Sequence, residues 1–266
     1  MANNGRKPVK PVVKPYLTGN PTDERTIPGA LGFFGVFLMA LVMTFLVSSV
    51  MTMDNSVLRI ALCAVVELLV LFIFYNNAVG RGTEAVARGE ILYQRQEKGL
   101  PFSESERAIC FHPAKGFVTA LLGSIPILIC AVLLAVTARR QTTSIGTLPG
   151  WMSVYQRRSE IGDALVAYTA STGLGLEDIL RMIVRIAIMP FVSMVGAENR
   201  DGMLLLERLS PVLLLLPALA YGTGYLRGRG ERTRIHTGIA ESNRKRVRKE
   251  KKARKMRAAR GPEQLN

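Results

Sequence analysis

The sequence predicts an all-α polytopic helical membrane protein, with four transmembrane helices plus interfacial or re-entrant amphipathic helices. Three observations predict it. Apolar residues make up 48% of the 266-residue chain and lie in long blocks. Four blocks, about 30–53, 57–78, 117–138 and 204–226, are each long enough to cross a hydrocarbon core of roughly 30 Å at about 1.5 Å per helical residue. The formal charge of +15 is concentrated at one end: residues 227–260 hold fifteen Lys and Arg against three Glu, which places +12 there.

Residues 1–28 carry Arg6, Lys7, Lys10, Lys14 and Arg25 among prolines 8, 11, 15, 21 and 28. That composition predicts an extended, poorly packed basic tail. The first block shows no A-x-A-like cleavage pattern, so an uncleaved anchor is expected rather than a secretory signal. Pro28-Gly29 opens the first span and Asp54-Asn55-Ser56 closes it, a connection short enough to force an antiparallel hairpin into the second.

The second block, 57–78, is the most apolar and carries Glu67 near its middle. A central acid costs about 2.5–3.5 kcal/mol, while each Leu, Ile, Phe or Val returns about 0.3–0.6. The thirteen such residues in this block outweigh one glutamate. In the hairpin Thr44 falls near the depth of Glu67, which makes its hydroxyl the expected partner and Glu67 with Thr44 the candidate intramembrane polar site. Ala40, Thr44 and Ser48 also form a small-residue face for close helix packing.

Between 80 and 116 the chain turns polar, with six Lys and Arg. The second helix is expected to continue to about Lys98 and to stop at Gly99-Leu100-Pro101. Ser103 and Glu106 have capping-box spacing for a short helix that ends before His112-Pro113. The third span, 117–138, has a small face at Gly116, Ala120 and Ser124 and a bend-prone Pro126. After Arg139 and Arg140 comes a membrane-hugging segment, 139–203, with Trp151 and Tyr155 at headgroup level. Its 176–188 stretch reads as an amphipathic helix in which Asp178, Arg181 and Arg185 form a solvated face, with Asp178 and Arg181 paired; a sharper variant buries Arg185 against Glu67. Pro190 interrupts it, and 182–197 is too short to span. The last span, 204–226, contains Pro211 and Pro217 and the small pairs Ala218/Gly222 and Ala220/Gly224.

The tail, 227–266, is densest in Arg244, Lys245, Arg246, Arg248, Lys249, Lys251, Lys252, Arg254, Lys255 and Arg257. It reads as a solvated arm that orders only against a polyanion. The charge distribution puts both termini and the 80–116 connection on the cytoplasmic side of the plasma membrane, which requires an even number of spans.

The function expected from these features is that of a non-enzymatic scaffold or assembly factor whose basic tail binds anionic lipid headgroups or another cytoplasmic polyanion. A membrane-protein partner or self-association is a further expectation. RNA or the ribosome would use the same charge, but the arm has no aromatic residue on which to stack bases, which favours lipid. The alternative is a small transporter or channel subunit with Glu67 as a proton or cation site. No H-E-x-x-H, G-x-S-x-G or P-loop is present, and His112 and His236 lie in separate polar segments, so no enzyme is expected. Cys110 and His112 have no companion ligands, and neither a metal nor a cofactor is implied. Cys63, Cys110 and Cys130 give no disulfide framework.

Overall fold

The computed structural model describes residues 11–48, 55–138, 175–196 and 199–259, with single positions between 152 and 165. Every regular element among the described residues is a helix: α1 (Thr26–Ser48), α2 (Ser56–Glu97), α3 (Glu104–Ala108), α4 (Lys115–Thr137), α5 (Leu176–Ala187), α6 (Met189–Val195) and α7 (Arg200–Ala259). Four of them, α1, α2, α4 and α7, are long and apolar enough to cross a membrane. Cys63, Cys110 and Cys130 form no disulfide.

The ends of these helices have local causes. α1 starts four residues before the expected 30, because Thr26 and Asp23 satisfy each other: the Thr26 hydroxyl donates to Asp23 Oδ1 at 2.7 Å and accepts from the Asp23 N–H at 2.8 Å. Pro28 then falls in the first turn, where no intrahelical N–H is required. The expected end of that span, 49–53, lies outside the described residues, as does Asp54. Asn55 opens α2 by accepting from the Val57 and Leu58 N–H groups at 3.1 and 3.3 Å.

α2 runs on well past the apolar block and stops in a Schellman arrangement. Leu100 N–H reaches Arg95 O and Gly99 N–H reaches Gln96 O, both at 3.0 Å, with Gly99 at φ 68° and Pro101 following. Ser103 and Glu106 form the capping box that starts α3, at 3.2 and 3.1 Å. The amphipathic helix is interrupted at Pro190 as expected: α5 ends at Ala187, and Pro190 stands at the second residue of a new helix, α6.

Two compact units divide the chain: Met1–Leu31, Leu71–Leu122 and Ala218–Asn266 form the first, and Gly32–Val70 with Gly123–Pro217 the second. In the first, backbones of α2 and α7 meet almost directly. A Cβ on Gly82 would run into Tyr225 O, one on Gly224 into Tyr75 O, and one on Gly228 would stand 2.5 Å from Gly82 C and Thr83 N. No larger residue fits at these three positions without moving a helix.

From residue 11 on, the N-terminal segment corrects the expectation of a poorly packed tail; residues 1–10 lie outside the described residues. Residues 11–20 have no regular structure, but they are laced to the first unit. Leu17 N–H donates to Gly89 O at 3.1 Å, Gly19 N–H to Phe111 O at 3.0 Å and Val12 N–H to Thr237 Oγ1 at 3.0 Å. Tyr16 packs edge-on to Phe111, whose ring stacks on Tyr225 at 5.3 Å, and the Arg229 guanidinium lies over Tyr16. The prolines do hold the segment extended, and extension is what lets its N–H groups reach the carbonyls of neighbouring elements. Lys115 finishes the anchorage: its ammonium donates to Asp23 at 2.8 Å and to Ala108 O and Ile109 O at 3.0 and 3.1 Å, capping the end of α3.

The second unit holds α5, α6 and the remaining parts of the long helices. Gly196 ends α6 at φ 82°, beside the Arg59 guanidinium. Arg139, Arg140 and Trp151 lie outside the described residues.

The backbone contact between α2 and α7 predicts a paired result. Gly228→Val lowers the stability of the purified chain by about 1–3 kcal/mol through overpacking. Gly80→Ala, in the same helical environment but facing open space, raises it by up to about 1 kcal/mol through helix propensity. Thermal unfolding of both variants in one detergent checks the contrast.

Candidate functional site

Buried charge gathers around Glu207 in the second unit and around Glu90 and the Asp23–Lys115 pair in the first. In the second unit the centre is Glu207 on α7, only 2% exposed. Arg181 Nε donates to Glu207 Oε1 at 2.9 Å, and Arg185 Nε and a terminal nitrogen donate to the same oxygen at 2.9 and 2.6 Å. Arg181 also pairs with Glu177 at 2.7 Å and with Asp178 at 3.5 Å. The expected Asp178–Arg181 pair is therefore present, but the expected solvated face is not: Arg181 is 6% exposed. The physical reason is the carboxylate on α7, since a guanidinium at that depth would cost several kcal/mol if left unpaired. Arg185 has its partner in Glu207, not in Glu67. Arg59 lies in the same unit, its Nε buried without a hydrogen-bond partner among the described residues.

Glu67 and Thr44 also belong to the second unit, but no hydrogen bond joins them. The Thr44 hydroxyl turns back on its own helix, donating to Ala40 O and Leu41 O at 3.0 and 2.9 Å. A helical Thr has those carbonyls within reach at no further ordering cost, which is why they outcompete a side chain on another helix. Glu67 is half-buried. No hydrogen bond or ion pair to its carboxylate is present among the described residues.

In the first unit the centre is Glu90 on α2, 5% exposed. His236 Nε2 lies 2.8 and 3.0 Å from its two oxygens, and Arg232 donates through Nε and a terminal nitrogen, both at 2.9 Å. The carboxylate requires a proton on His236 Nε2, which fixes the ε tautomer or the imidazolium. Burial pushes the Glu90 carboxyl up, but the hydrogen bonds and charges of Arg232 and His236 more than offset it, leaving it below the ordinary 4.5. Asp23 behaves likewise: burial raises it, and Lys115 and Thr26 bring it below the ordinary 3.8.

The sequence does not single out either cluster, because the partners are 142 and 146 residues apart in one and 22 to 26 in the other. A partial signal exists. Tyr225, Gly228, Arg232 and His236 recur at three- and four-residue spacing, a single helical stripe of small and polar residues continuing beyond the apolar block.

The polybasic tail corrects a third expectation. It is not an unstructured arm but the continuation of α7, helical through Ala259. Lys, Arg, Glu and Ala are good helix formers, and the packed helix before them removes the cost of nucleation. From Ser242 to Met256 every residue is exposed. Arg244, Lys245, Arg246, Arg248, Lys249, Lys251, Lys252, Arg254 and Lys255 therefore stand in solvent on a rod of about 22 Å. Arg257 lies on the same helix.

No family model, curated protein or solved structure matches the chain.

The two clusters generate separate predictions. Glu207→Gln leaves two guanidinium groups facing a neutral amide and lowers stability by about 3–5 kcal/mol, whereas Glu177→Gln, removing a carboxylate that is 37% exposed, costs no more than about 1 kcal/mol; thermal unfolding in detergent compares them. The second concerns pH. A carboxyl held below its ordinary value contributes stability that is full above that value and is lost as pH falls through the folded one. The wild type should therefore lose stability as pH drops below the ordinary 4.5 of Glu90 and 3.8 of Asp23. A Glu90→Gln/Asp23→Asn double variant should start lower at pH 7 and show a flatter acid limb in Tm against pH.

Proposed function

We propose that the chain is a multi-pass integral membrane protein with both termini on the cytoplasmic side, and that it acts as a non-enzymatic scaffold or assembly factor held against anionic lipid by the basic end of α7. The observation that carries this reading is the exposed helical rod at 242–256, charged along its whole length and continuous with an apolar helix. Supporting it, α1, α2, α4 and α7 leave large apolar side chains uncovered. Met39, Phe45, Leu68, Phe72, Ile129 and Val212 are all at least half exposed, as side chains facing lipid tails would be.

Basic residues at the surface of an anionic leaflet are worth about 1 kcal/mol each, so two contacts already exceed thermal energy several-fold. The attraction weakens with salt, because screening shortens from about 10 Å at 0.1 M to about 3 Å at 1 M. Rigidity helps as well, since a preformed helix loses little conformational freedom on contact.

The test uses the full chain in neutral nanodiscs, floated with separate vesicles of phosphatidylcholine alone or mixed with phosphatidylglycerol. The wild type should float with the anionic vesicles at 0.1 M salt, release them at 1 M, and ignore neutral ones. Replacing Arg244, Lys245, Arg248 and Lys249 with Gln should reduce flotation by more than tenfold. Equal flotation with both lipids, or retention of RNA in place of lipid at moderate salt, would overturn the reading.

A further inference from the structure

Pro28-Gly29 stands before the first apolar block, Arg81 just after the second, Lys115 just before the third and Tyr225 at the end of the fourth. In the first unit these four points line one cavity of about 500 Å³. That volume lies within the roughly 300–1,000 Å³ of small-molecule sites.

Its walls are cationic. Arg25, Arg81, Arg88 and Lys115 face two acids, Asp23 and Glu84. Asp23 is committed to Lys115 at 2.8 Å with its side chain 1% exposed. Glu84 is largely exposed and reaches Arg88 only at 3.9 Å. Arg25 and Arg81 have no acidic partner among the described residues; Arg81 donates to Gly29 O at 3.4 Å. The cavity therefore carries an excess of two positive charges, and a second, smaller space sharing Arg25, Arg88 and Ile109 extends it to Arg95.

A neutral donor points the same way. Tyr225 is 5% exposed and lines this cavity; the His112 backbone faces its hydroxyl oxygen, but the O–H itself donates to no group among the described residues. Buried hydroxyls are normally satisfied. A buried water or a ligand oxygen would accept from it. Guanidinium forks and a phenol O–H together form a donor set that suits a tetrahedral oxyanion, and guanidinium matches phosphate oxygens in pairs; Lys115, its three N–H groups committed to Asp23, Ala108 O and Ile109 O, adds charge only.

We propose that this cavity is a binding site for a phosphate group, borne by the headgroup of an anionic membrane lipid or by a soluble phosphate. The lipid source rests on the membrane reading above; the site itself rests only on its donors. Its position, where the four apolar blocks end, is the depth at which lipid phosphates lie if those blocks cross the bilayer.

The experiment uses the full chain. Wild type, Arg81→Gln, Tyr225→Phe and the tail variant with four Gln are purified from nanodiscs of phosphatidylglycerol or phosphatidylcholine, delipidated with detergent, and retained lipid is counted by native mass spectrometry. In parallel, inorganic phosphate and glycerol 3-phosphate are titrated calorimetrically into delipidated protein. Tyr225→Phe removes one oxygen and no packing volume, so it stands if Arg81→Gln fails to fold. Phosphatidylglycerol retained by the wild type, and weakened about tenfold or more by Arg81→Gln and by Tyr225→Phe, establishes the lipid source. Binding of inorganic phosphate with the same sensitivity, without lipid retention, establishes the soluble one. In either case the tail variant binds like the wild type, whatever becomes of its flotation with vesicles. No retention of either ligand by the wild type, or retention that Tyr225→Phe leaves unchanged, overturns the proposal.

Discussion

The contact on which the first unit depends is the approach of α2 to α7 without intervening side chains. Gly82, Gly224 and Gly228 bring one helix backbone against the other. Each glycine costs about 1 kcal/mol of helix propensity relative to alanine, so the three are unfavourable for the isolated helices. What offsets them is dispersion over a long, close contact and the polar groups it brings into register. Thr83 donates to Gly228 O at 3.4 Å, Tyr225 slides under Phe111, and two turns further on Arg232 and His236 arrive at Glu90. Were the helices separated by a single methyl layer, those charge-assisted bonds would lengthen past usefulness. The N-terminal strap would also lose contact, since Tyr16 rests on Phe111 and Val12 bonds to Thr237.

Both units bury a carboxylate, and the two do different work. Glu90 receives a guanidinium and an imidazole from one helix, so it clamps α2 to α7 at a fixed register. Glu207 receives two guanidinium groups from α5, a short helix whose exposed acids, Glu177 and Asp178, also draw on Arg181. Counting those three acids against Arg181 and Arg185, the second cluster is close to neutral and slightly acidic. Buried ion pairs of this kind rarely stabilise more than apolar residues of the same volume would. Their contribution is specificity: a leucine at 207 would accept α5 in several rotations, and a carboxylate accepts it in one.

How much of this was legible in the sequence depends on the distance over which each cause acts. The apolar blocks, the continuation of α2, its stop at Gly99-Leu100-Pro101 and the Ser103/Glu106 box are set by residues within a turn or two of one another, and those elements stand where the sequence places them. The start of α1 was misplaced by a local bond between Asp23 and Thr26 that outweighs Pro28. Arg181 was assigned to solvent because amphipathicity ranks polarity without knowing whether a partner waits inside. The strap escaped notice for a related reason. Its prolines and basic residues resemble those of disordered tails, and only the carbonyls at Gly89 and Phe111, more than seventy residues away, give it somewhere to bind. Of the candidate site, the basic residues of the tail were readable from composition, whereas the clusters at Glu90 and Glu207 required coordinates.

The helical form of the tail changes what its charges can do. On a flexible arm all cations could turn toward one surface, each at the cost of ordering its own stretch of chain. On a helix, with 100° between successive residues, the sequence decides the direction of each. Arg244, Arg248, Lys251 and Lys255 fall on one narrow stripe, with Lys252, Lys245 and Lys249 following around the same half of the cylinder. Only Arg246 and Arg254 among the described cations fall on the other half, where Arg246 lies 3.6 Å from Glu250. Seven of nine described cations thus share one side, and the acid sits opposite. A composition that looks uniformly basic as a string becomes, once wound, a rod with a charged face and a nearly balanced back. Only the face could meet a flat anionic surface, and such a contact would need no further ordering of the backbone.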